Sequence, residues 1–258
     1  MANQAKHQSN SDVTDQKIAS ATSRVDQITA VLREEILRGQ YRPGERLPSE
    51  RELSARFDSN RGAIRESLKK LEQIGIATIK PGGVRVMPVE EATLSVLGHI
   101  LDLEEIPDAK VVHDMFEVLA ALVSMSARNA VEAASDDDIG EMVTIVEDMI
   151  KFQGDPAETQ QCWHRLGTLF TGISHNLVLR LILNGLKTQF VSRVEGKPHS
   201  IEHDYEAEME NLRHLRAGMQ RRDGKAVSDS ITEHFNLLQK AVVSALTEAA
   251  NNTRSPDV

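Results

Sequence analysis

The stretch SERELSARFDSNRGAIRESLKKLEQIGIATIKPGGVRVM, residues 49–87, decides the fold of the N-terminal part. Ser49 and Glu52 form a capping-box pattern, a hydroxyl and a carboxyl three residues apart that can satisfy two backbone N–H groups reciprocally. A helix is therefore expected from there to about Phe57. Asp58, Ser59 and Asn60 then offer candidate N-caps in a row, and Ile64, Leu68 and Leu71 make one apolar stripe of a further helix. Two short helices joined by a brief turn form a helix-turn-helix, whose second helix can lay its N-terminal residues in a DNA major groove. Arg61 and Arg65, at i and i+4, share a face and point away from Ile64 and Leu68. After Gly75, the segment IATIK, the turn Pro81-Gly82-Gly83 and VRVMPV predict a hairpin of two strands in the position of a wing. Arg51 and Arg65 could instead pair with Glu50 or Glu66 on an exposed surface, where such pairs contribute little.

Upstream, Val25, Ile28, Leu32 and Ile36 recur at helical spacing until Gly39, and YRPGERLP cannot continue a helix. Residues 1–20, rich in Gln, Ser, Asn and Asp, read as a disordered tail, and residues 21–90 as the DNA-binding domain. Charge follows the same division. Residues 21–90 carry 13 Lys and Arg against 10 Asp and Glu, whereas residues 91–258 carry 15 against 27. In a chain of net charge -9, the one basic segment is the part suited to a polyanion.

Cys162 is the only cysteine, which excludes an intramolecular disulfide and any CxxC metal or redox site and suits a reducing compartment. No apolar run approaches the roughly 18 residues of a membrane span, and the polar start has no leader pattern, so a cytoplasmic location without a membrane partner is expected.

Residues 91–107 read as a linker. Helical spacing then continues through 109–129, 136–152, 156–174, 177–194, 201–221 and 225–250, leaving 251–258 as a second tail. The expected class is mainly α: an N-terminal winged helix-turn-helix with a small β-hairpin wing, followed over 108–250 by an all-helical antiparallel bundle for effector binding and dimerisation. Met125, Met149 and Phe170 are expected in its core.

The order of LRGQYRPGERLPSERELSARF and RGAIRESLKKLEQIGIATIKPGGVRV closely resembles the winged helix-turn-helix of GntR-family transcription regulators. The resemblance implies DNA contacts from Arg51, Arg61, Gly62, Arg65 and Gly82, with Asn60 and Gly83 completing the DNA-facing set. Arg61 is then the candidate for bidentate reading of a guanine edge. WHRLGTLFTGISHNLVLRLILNGLK and the RRDGKAV to EHF stretch resemble the FCD (FadR-C) sensor domain of the FadR subgroup. That implies a homodimer on a palindromic operator in double-stranded DNA, governed by a small effector.

Metal-binding members of that sensor family use three His and one carboxylate; the matching positions here are Gln160, His164, Leu212 and His234, with His214 a neighbouring substitute. Half of the donor set is missing, so no cofactor is expected, and His164 and His234 read as buried, hydrogen-bonded imidazoles lining a cavity. Leu119 and Val123 stand where many relatives place an Arg and a Glu. A pocket stripped of these charges favours a fatty acid or fatty acyl-CoA. The alternatives are a small carboxylate sensed through a divalent metal and, more remotely, a metal-dependent enzyme using His164, His234 and Glu233. No nucleophile–base set accompanies those residues, and the chain is not expected to be an enzyme.

Overall fold

The computed structural model describes residues 24–152, 155–194 and 204–254. Two compact units meet at Leu103/Glu104. In the first, helix α1 (24–37) is followed by α2 (Glu50–Arg56) and α3 (Arg61–Gln73), then by strands β1 (Ala77–Lys80) and β2 (Gly83–Val86). The stripes read from the sequence form the core: Ile28, Leu32, Ile36, Ile64, Leu68 and Leu71 are buried and Val25 partly so, with Leu53 joining them and Ile76 and Val86 closing the core from the wing side.

Each boundary has a local cause. Ser49 and Glu52 make the full capping box: the hydroxyl accepts from the Glu52 N–H, and the carboxylate accepts from the Ser49 N–H at 2.7 Å. The Ser49 hydroxyl, then its N–H, hold the Glu52 carboxyl below its ordinary range. Of the cap candidates at 58–60, Asn60 caps α3, accepting from the Ala63 N–H at 2.9 Å. Helix α3 ends in a Schellman motif: Ile76 N–H donates to Leu71 O and Gly75 N–H to Glu72 O, with Gly75 at φ +81.

β1 and β2 pair antiparallel, Ala77 opposite Val86 and Lys80 opposite Gly83. Residues 44–47, read from the sequence only as a turn, add a further edge. Leu47 N–H donates to Val84 O, Val86 N–H donates to Glu45 O, and Arg46 bridges to Arg85. Residues 91–107, expected as a linker, hold helix α4 (Val96–Leu101), and Val96 is buried in the first unit's core. Within that unit, Arg38 donates to Leu103 O.

The second unit consists of α5 (Ala109–Ala133), α6 (Asp136–Lys151), α7 (Pro156–Ile173), α8 (Leu177–Val194), α9 (Tyr205–Gln220) and α10 (Gly224–Arg254). Helix α5 packs on α7, α8 and α10, while α9 packs on α6 and α10. The core runs through Ala127, Val131, Met142, Ile145, Met149, Leu166, Phe170, Leu215 and Ile231. Met149 and Phe170 are core as expected. Met125 is not: it is 43% exposed, because the buried face of α5 runs through Leu119, Ser124, Ala127 and Val131. Part of the tail expected at 251–258 is helical, since α10 reaches Arg254. The tail expected at 1–20 lies outside the described residues.

Among the described residues no helix is long and apolar enough to cross a membrane. Burial pushes the Cys162 thiol upward, which leaves it a weak nucleophile.

Candidate nucleic-acid interface

The α3 stripe that buries Ile64, Leu68 and Leu71 leaves Arg61, Gly62 and Arg65 on the outer surface. Arg51, on α2, and Asn60, at the α3 cap, are exposed as well. Among the described residues, neither Arg51 nor Arg61 has an acidic side chain at ion-pair distance. Arg61 opens the helix, where the free N–H groups and the dipole add positive potential.

Arg65 is different: its Nε donates to both carboxylate oxygens of Glu50, each at 2.8 Å. This bond and the charge of Glu50 hold the guanidinium above its ordinary value. The pair is open to solvent, with Arg65 62% and Glu50 37% exposed, so it stabilises the fold little. Its effect is to occupy a cation that a phosphate would otherwise take. Glu50→Gln is expected to raise non-specific duplex affinity a few-fold and to steepen the log–log salt dependence by about one. Fluorescence anisotropy on a random duplex at several salt concentrations checks this; an unchanged slope shows that the pair does not compete with DNA. Further along α3, Lys69 pairs with Glu66 at 2.9 Å and Lys70 with Asp26 at 2.5 Å, exposed ion pairs that leave both as surface charges.

The two wing glycines play different parts. Gly82, at φ +101, has open space where a Cβ would stand. Gly83, at φ +130, has the Arg46 guanidinium there, its Cζ at 2.9 Å from the virtual Cβ. The space at Gly83 is thus filled by a cation of this chain. Arg46 also lies close enough to Glu52 to lower that carboxyl, as does Arg51. Arg46, with exposed Lys80 and Arg85, makes the wing basic, a feature the sequence reading missed. The pairing that brings Arg46 to Arg85 is non-local; only the basic residue before Leu47-Pro48 hinted at it.

In the second unit, Leu119 and Leu212 are buried and Val123 is partly buried against the core, whereas Gln160 is exposed. His164 is not the buried imidazole expected. It is exposed, and the Lys187 Nζ lies 2.9 Å from its Nδ1. The cause is register: α7 buries Cys162, Leu166 and Phe170, and His164 stands off that stripe. His234 is half-buried and stacks on Trp163, ring centroids 3.7 Å apart and 20° from parallel. The Trp163 Nε1 is buried with no hydrogen-bond partner among the described residues, and so is the Ser126 Oγ of α5. His214 is exposed. Among the described residues, the group of His, Asp and Glu close enough to share a metal ion is His113, Asp114 and Glu117, outside the set expected from sequence.

Comparison with known proteins agrees with this division. Residues 24–86 match the family described as bacterial regulatory proteins, gntR family, and residues 114–237 match the FCD domain. An uncharacterized HTH-type transcriptional regulator, Rv0494, of Mycobacterium tuberculosis is 31% identical over 140 residues, 54% of this chain and 56% of its own. The Uxu operon transcriptional regulator of Escherichia coli is 33% identical over 129 residues, 48% of this chain and 47% of its own. A fatty acid metabolism regulator protein of Erwinia tasmaniensis is 27% identical over 160 residues, 60% of this chain and 64% of its own. The chain spans about half the length of the first two of these relatives. The solved structure of Lar, described as controlling the Listeria monocytogenes agr system, aligns with a TM-score of 0.50 at 17% identity, over 84% of this chain and 95% of its own, a likeness of fold. With its winged helix and its helical unit matched in order by these two domains, the chain belongs to the GntR family of transcription regulators and carries an FCD domain.

Proposed function

We propose that the chain acts as a homodimer on a palindromic operator and that a fatty acid or fatty acyl-CoA held in the helical unit governs its affinity for that operator. One observation carries the DNA-binding part: Arg61 stands exposed at the opening of α3, in a unit whose wing is made basic by Arg46, Lys80 and Arg85. Arg61 and Arg51 reach the duplex without first breaking an ion pair; Arg65 must exchange Glu50 for a phosphate or base. Gly62 and Asn60 let the helix end approach closely, and Gly82 does so at the wing. Two-fold operator symmetry follows from two-fold protein symmetry.

The effector assignment is supported by the apolar trio Leu119, Val123 and Leu212, by the Trp163 Nε1 and Ser126 Oγ left without partners, and by similarity to the Erwinia regulator. Apolar side chains in place of charged ones, with buried donors left unused, suit a hydrocarbon chain that ends in an oxygen acid. The effector shifts operator affinity only by its differential binding to the two states of the protein.

A second reading, a sugar acid as effector, is favoured by similarity to the galactonate operon transcriptional repressor of Escherichia coli. Selection from random duplexes supplies the operator. Trp163, the only tryptophan, then supplies the effector readout. Long-chain acyl-CoA is expected to change Trp163 emission saturably and to release the operator at the same concentrations. A response to galactonate alone selects the second reading, and recovery of no preferred duplex sinks the DNA-binding reading itself.

A further inference from the structure

We infer that the outer face of α8 is the surface on which a second copy of this chain docks, an inference that rests on the homodimer reading. Helix α8 has apolar residues on both sides. Leu179, Leu183 and Leu186 are buried within the unit, yet Leu177, Val178, Leu181 and Ile182 are 66%, 67%, 60% and 41% exposed. Two apolar sides call for two covers, and among the described residues only one of them is buried within the unit.

The exposed side chains amount to on the order of 400 Å² of apolar surface, at the upper end of what monomers leave uncovered and about half of what each partner gives to a stable interface. At 3.6 residues per turn the sector from Leu177 through Leu181, Gly185 and Val178 to Ile182 contains no charged residue. Arg180 and Lys187 fall on a different side; there Arg180 donates to Thr171 O and Lys187 reaches His164.

The absence of charge selects the occupant. An isologous contact lays a face against its own copy, so a charge near the two-fold axis would meet its like and one off the axis would need an opposite charge in the same face, whereas an uncharged apolar face is complementary to itself. Gly185, in the middle of the sector, lets the two helix backbones approach.

The test is sedimentation of the full chain beside its Leu181→Glu variant. The wild type is expected to be dimeric in the low micromolar range, and the variant's dimer dissociation constant is expected to rise about 30-fold, since each dimer would bury two unpaired like charges. The substitution lies on an exposed face, so helical circular dichroism should stay unchanged. Should helicity fall, Leu181→Cys with a short bismaleimide gives the second measurement. Capture of a covalent dimer by Leu181→Cys but not by Val118→Cys, on the exposed stripe of α5, supports the inference, and the reverse pattern overturns it. A variant that dimerises as tightly as the wild type overturns the docking face and leaves the homodimer reading standing. A wild type that is monomeric both free and on operator overturns both.

Discussion

Arg61→Ala is expected to cost the protein most of its operator discrimination. A bidentate arginine–guanine contact contributes about 1–3 kcal/mol, and a dimer on a palindrome makes it twice. The expected loss is therefore about 2–6 kcal/mol, or roughly 30-fold to more than 10^4-fold in operator affinity, with non-specific affinity falling only a few-fold. Arg65→Ala is expected to lose less, because the wild-type Arg65 must first break its pair with Glu50, which offsets part of what its DNA contact contributes. Lys69→Ala, which removes a cation paired with Glu66 further along α3, serves as the control and should stay within a few-fold of wild type. The check is anisotropy at one fixed salt concentration on the selected operator and on the same operator changed at a single base pair. Arg61→Ala should no longer distinguish the two at the base it reads. If it keeps full discrimination, Arg61 is a phosphate contact and the reading role passes to another residue.

That contrast also indicates which parts of the interface were legible in the sequence. The capping box at Ser49 and Glu52, the Asn60 cap and the stripe Ile64, Leu68, Leu71 are local patterns, fixed within one or two helical turns, and all are present in the fold. The six helical segments of the second unit were readable for the same reason, with their breaks at Gly, Pro and Asn-rich joints. What escaped depends on neighbours distant in sequence. Arg46 becomes part of the wing only because its backbone bridges to Arg85, which lays its guanidinium over Gly83. Glu50 meets Arg65 only because α2 and α3 cross; the pairing was weighed as one of two possible acids, without a way to choose. In the helical unit, alignment to relatives put His164 in a pocket, whereas the stripe Cys162, Leu166, Phe170 already turned it outward. Helical periodicity would have been the better guide. It would also have exposed Met125, which stands directly beside buried Ser124 and Ser126.

Gly75→Ala is expected to unfold the DNA-binding unit first while leaving the helical unit as stable as before. Gly75 holds φ +81 in the Schellman motif that ends α3, a conformation that costs an L-residue about 1–2 kcal/mol. Its virtual Cβ lies 2.9 Å from the Cα of Ala92 and 3.2 Å from the Thr93 N, so backbone, not a yielding side-chain tip, must move. The Thr93 N–H donates to Ile74 O at 3.0 Å, and that bond ties the segment after the wing to the end of α3. Displacing it adds overpacking of about 1–3 kcal/mol, for a total of roughly 2–5 kcal/mol. The molecule carries its own two-channel readout. Trp163, the sole tryptophan, lies in the second unit, so its emission follows that unit, whereas far-ultraviolet circular dichroism follows both. In urea, the variant's dichroism is expected to show an early loss of part of its helical signal while the Trp163 transition keeps its wild-type midpoint. Coincident shifts of both probes would mean that the two units unfold as one. An unshifted pair would mean that residues 74–76 and 92–93 rearrange at negligible cost, and that the junction between recognition helix and wing does not depend on a glycine.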